Sequence, residues 1–173
     1  MATSNRTLAF KLRTAIDPAF AIKWVVGSGS VQSIAAGDPT LLADATGAAT
    51  GKVKIAADGD PTNADGHRFT GFAKSDSTDT AAADGYAYVW MPLPGIIYSG
   101  KAKTSTTADT QAEVDALMGK RVVLDLTSTT WSVDAAATDA AANGIVIVGG
   151  NPNTTEIYFT VKQDACFLGA GAH

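Results

Sequence analysis

The chain has 173 residues, a net charge of −4 and only 17% charged residues, against about 25% in typical soluble domains. That length suits one domain, and a hydrophobic content of 46% is enough for a buried core. The acidic balance argues against a nucleic-acid binder, and the single cysteine excludes a disulfide framework or a Cys-rich zinc site.

Leu8, Phe10 and Leu12 alternate with Ala9, Lys11 and Arg13, the period-two pattern of a half-buried strand. Residues 1–15 read as an N-terminal extended arm or edge strand, and 16–173 as a single β-rich domain. Phe20, Ile22, Trp24 and Val26 repeat the alternation, Gly27-Ser28-Gly29-Ser30 breaks it, and 31–34 is expected to return as a hairpin arm. Gly37-Asp38-Pro39-Thr40 and the identical Gly59-Asp60-Pro61-Thr62 are turn signals. Two copies are too few for a repeat architecture, so they read as recurrent turn chemistry. Val53 and Ile55 alternate with Lys52 and Lys54 as a short strand, and 67–73 reads as another.

After the polar stretch 76–84 comes the clearest strand. Tyr86, Tyr88 and Trp90 fall on one face, and Ala87, Val89 and Met91 on the other. Pro92 and Pro94 end it, and 96–102 resumes as strand. Thr110-Gln111-Ala112-Glu113 has the form of a capping box. Val114, Leu117 and Met118 supply the apolar stripe of the helix it opens, and Gly119 sits at its C′ position. A hairpin is expected around Thr127-Ser128-Thr129, the Ala-rich run 134–143 as a loop or one helical turn, and a second hairpin from 144–148 to 156–161. Residues 165–168 read as a last strand. The fold class is therefore mainly β, a sandwich or barrel-like domain with one or two short helices.

No constellation with catalytic spacing is present in the sequence. Cys166 lies in an apolar stretch and reads as a packed thiol. His67 has no second ligand with which to hold zinc. Asp58, Asp60, Asn63 and Asp65 fail the calcium-loop test, because the sixth position is Asn63 and the twelfth is Phe69. The Gly27–Ser30 run lacks the Lys and helix of a phosphate cradle. No cofactor, no metal and no catalysis are expected. The row Tyr86, Tyr88, Trp90 could stack on sugar rings, which keeps a non-catalytic carbohydrate- or host-surface-binding module as the alternative. No apolar run approaches the roughly eighteen residues of a membrane span. Arg6, Lys11 and Arg13 interrupt any secretory apolar region, so synthesis in a cytoplasm is expected.

Several stretches resemble a known family. They are 71–80, 83–95 and 98–102, centred on Gly85-Tyr86-Ala87-Tyr88-Val89-Trp90-Met91-Pro92, and then 143–152, 156–159 and 165–169. Together they resemble the capsid decoration, or cement, proteins of tailed bacteriophages. That resemblance implies a β-tulip type of fold and a place on the outer surface of the virion. It also implies the major capsid protein as partner and self-association, with a homotrimer favoured. Nucleic acid and membrane are not expected as partners. The basic, apolar N-terminal segment is then the expected capsid-gripping element, through Arg6, Leu8, Phe10, Lys11, Leu12 and Arg13. The competing reading of the same alternation is an ordinary strand of the protein's own sheet.

Overall fold

The computed structural model describes residues 10–12, 21–27, 33–45, 48–62, 69–77, 79–80, 83–93 and 95–167. Its architecture is mainly β, with a closed barrel and a separate sheet, as expected from the abundance of Val, Thr and aromatic residues between Gly, Asp and Pro turns. The chain enters through a two-residue strand, β1 (Lys11–Leu12). Five strands then build the barrel: β2 (Ala21–Val26), β3 (Pro39–Ala45), β4 (Ala48–Ile55), β5 (Phe69–Ala73) and β6 (Gly85–Trp90). They close in the order β2-β4-β3-β5-β6. All pairs are antiparallel except β2 with β4, which meet in parallel at Val26 and Val53 alone.

The barrel interior explains the Ala- and Val-rich composition. Val26, Ile34, Val53, Ala73, Ala87 and Val89 fill it, since five strands leave a narrow bore that small side chains pack. Two matching turns support it. In 35–38 and in 57–60 the glycine, Gly37 or Gly59, takes φ of 90° or 87°, as the third position of a type II turn requires. The aspartate that follows closes each turn twice. Its N–H donates to the carbonyl of Ala35 or Ala57, and its side chain accepts from the same alanine's N–H, at 2.9 and 2.7 Å.

The second unit is a five-stranded antiparallel sheet. β1 joins β7 (Tyr98–Lys101), β8 (Arg121–Val122), β11 (Ile145–Asn151) and β12 (Glu156–Val161) in the order β1-β7-β12-β11-β8. β9 (Leu124–Thr127) and β10 (Thr130–Val133) form the expected hairpin. The single helix of the described residues, α1 (Gln111–Leu117), carries the expected capping box and buries Val114 and Leu117.

The barrel and the sheet share one core. Phe72 of β5 reaches Phe10 at 4.7 Å, Tyr98 at 4.6 Å and Phe159 at 5.8 Å between ring centroids. β5 is buried on both faces because one lines the barrel and the other meets the sheet.

Two expected elements differ. β2 runs beside β6 and β4 rather than in a hairpin, and 33–35 is not strand. Of the expected last strand, 165–168, Ala165 ends a 3-10 turn, Gln163–Ala165, Cys166 makes one bridge to Phe69, and Leu168 lies outside the described residues. Barrel closure and the Cys166 bridge both depend on contacts distant in sequence, which local alternation does not report.

Candidate contact surface

The expected contact segment divides at Phe10. Arg6, Leu8 and Arg13 lie outside the described residues. Lys11 and Leu12 have their backbone in β1, paired with Ser99 and Tyr98 of β7. Phe10 is fully buried, so its assignment as a partner contact is corrected: it is a core residue. Its ring meets Phe159 edge-on at 5.7 Å and covers Gly100, where an added Cβ would stand 2.4 Å from the ring. Glycine at that position is what lets a phenylalanine cross β7 so closely. Burying a ring of this size contributes about 1.5–3 kcal/mol.

The aromatic row of β6 splits in a different way. Ala87 and Val89 point into the barrel, so Tyr86, Tyr88 and Trp90 share the outer face, as the alternation predicts. Tyr86 and Tyr88 are each 46% exposed, whereas Trp90 turns against the shared core. Lys23 stands opposite Tyr88 in the register, and its Nζ lies 3.9 Å from the centroid of the Tyr86 ring. This cation–π contact covers one face of that ring. The outer wall therefore presents two tyrosines, one of them capped by a lysine. Nearby, Lys52 and Asp84 form an exposed ion pair at 2.5 Å, a contact of small energetic weight.

The remaining candidates that are described make structural contacts. Burial pushes the Cys166 thiol up to about 12, so it is not a thiolate nucleophile at neutral pH. It donates to the Lys162 carbonyl at 3.0 Å. Asp60 closes its turn, and Asp58 accepts the Leu126 N–H at 2.8 Å. Asn63, Asp65 and His67 lie outside the described residues, and among the described ones no cluster of metal-ligating side chains occurs. Gly27 is part of barrel closure, its N–H donating to the Val53 carbonyl at 3.1 Å. Burial raises the Tyr98 phenol far above its usual range, and its hydroxyl donates to the Met91 carbonyl at 3.0 Å.

Other exposed apolar residues were not legible in the sequence. Ile22 shares a period with Trp24 and Val26 and so reads as core, yet it is 48% exposed. The cause is the single tie between β2 and β4 at Val26, which leaves the start of β2 with a strand on one side only. Phe167, 39% exposed, packs edge-on against Trp24 at 5.6 Å. Val148 is the extra residue of a bulge between Ile147 and Gly149, which turns it outward. No local signal marks a bulge of this kind. Comparison of the chain with models of protein families, with characterised proteins and with solved structures finds no match.

Proposed function

We propose that this chain is a non-catalytic structural protein of the virion, decorating the outer surface of a tailed-phage capsid and bridging its capsomers. The observation that carries the reading is where the family-like stretches lie. One stretch from each part of the likeness, 98–102 and 156–159, meets the other along β7 and β12, where Tyr98–Lys101 pairs with Glu156–Phe159. These two stretches of the likeness are therefore neighbours in one sheet.

In this reading the major capsid protein is the partner and the protein acts as a homotrimer. Residues Arg6, Leu8 and Arg13, with Lys11 and Leu12, grip the capsid. Phe10 is the anchor of that segment rather than part of its contact face, so a load on the segment passes into the core. Many copies each holding weakly suffice for such a role, because linked contacts gain by avidity. The exposed Tyr86 and Tyr88 favour a second reading, a sugar-binding module. The inward turn of Trp90 and the lysine over Tyr86 weigh against a three-ring platform.

The test is co-sedimentation with undecorated capsids of the same virus. Wild type should pellet with them, and a chain lacking residues 1–9 should remain folded but stay in the supernatant. Absence of wild-type binding, together with glycan-array binding that is lost in Tyr86→Ser/Tyr88→Ser, would replace this reading with the second.

A further inference from the structure

Exposed sheet edges are templates for strand addition. Besides the start of β2 and the β9–β10 hairpin, the edge strands of the described residues are those of the second sheet, β1 and β8. β8 uses alternate residues toward β11: Val122 pairs with Ile145, and the Lys120 carbonyl accepts the Ile147 N–H at 3.0 Å. Its outward groups are those of Arg121, and the run 134–143 occupies them together with the carbonyl of Val123 just past the strand.

Asp139 accepts the Arg121 N–H at 3.2 Å and the Arg121 Nε at 2.7 Å. Asn143 donates from Nδ2 to the Arg121 carbonyl at 2.9 Å, and to Thr138 within its own run at 2.8 Å. The Asp134 N–H donates to the Val123 carbonyl at 3.0 Å. Three lysines from other elements hold the run down. Lys103 reaches Asp134 at 3.3 Å, Lys120 the Ala135 carbonyl at 2.7 Å, and Lys162 the Ala141 carbonyl at 2.8 Å. The rest of the run is alanine with one threonine, Thr138. Its polar side chains are spaced so that a non-strand segment imitates the hydrogen bonding of a neighbouring strand.

We propose that the 134–143 strap is an edge guard: Asp139 and Asn143 fill the outward backbone groups of β8 and bar a second copy of this chain from adding its own β8 there. The partner excluded is another copy because two β8 edges related by a two-fold axis present the same donors and acceptors to each other in antiparallel register. The inference stands apart from the capsid reading and holds for either proposed function.

The experiment is Asp139→Ala/Asn143→Ala in the full chain, followed by light scattering across the micromolar range and by hydrogen exchange at the Arg121 amide. The expected result is a rise with concentration to at least twice the wild-type mass, with Arg121 protection lost when dilute and regained on association. Adding Arg121→Pro should abolish the association, because proline has no N–H to pair, whereas Arg121→Ala in the same background should keep it. If the double variant does not fold, Asp139→Ala alone carries the same two readouts. A folded variant that keeps the wild-type mass at every concentration overturns the proposal. So does association that persists with Arg121→Pro.

Discussion

Phe10 shows how one side chain decides between two readings of a strand. Period-two alternation of Leu8, Phe10 and Leu12 fits a docking face and a core face equally well, because both bury every second residue. What separates them is Gly100, ninety positions away in the sequence, and the cluster of Phe72, Tyr98 and Phe159 rings beyond it. No sequence pattern links a glycine in one strand to a phenylalanine in another. Phe10→Ala should cost about 3–5 kcal/mol, the usual range for emptying a buried aromatic site. Gly100→Ala should also destabilise, since the ring it meets is itself packed on Phe72 and Phe159. Urea unfolding of both variants checks this. A Phe10→Ala chain as stable as wild type would return the residue to the partner-contact face.

Elements whose signals are local were legible. The helix is the clearest case. Thr110 Oγ1 accepts the Glu113 N–H at 3.3 Å, and Glu113 reaches back to the Thr110 N–H at 3.0 Å. Gly119 follows with φ of 80°. All of this lies within ten residues of sequence. Thr110→Ala should lower stability by about 1 kcal/mol, the usual cost of losing such a cap, with the loss centred on α1 in hydrogen exchange. An unchanged exchange rate in the first turn would mean that packing of Val114 and Leu117 alone holds the helix. The twin Gly-Asp-Pro-Thr turns were legible for the same reason. β5 was harder, because burial on both faces removes the alternation that marks a half-buried strand. The outward turn of Val148 had no local signal at all.

At the scale of the whole molecule, the sequence pointed to a mainly β fold but left sandwich and barrel open. The choice rests on a single parallel pairing between Val26 and Val53, a contact made across two turns and a third strand. The same topology orders events in time. Every barrel strand comes from the continuous stretch 21–90, whereas the second sheet unites residues 11–12, 98–101, 121–122 and 145–161. Pairings between distant segments form slowly, because a long loop must close before any contact rewards it. Trp24 of β2 packs on the barrel interior and Trp131 of β10 is buried in the core that joins barrel and sheet, so two single-tryptophan chains in a Phe167→Ala background, which removes the ring packed on Trp24, can report on the two separately. The Trp24 signal should settle first during refolding, and coincident traces would show one cooperative event instead. On the ribosome the consequence is a delay. The barrel can close while synthesis continues, but Phe10, made near the beginning, has no complete pocket until Phe159 has emerged.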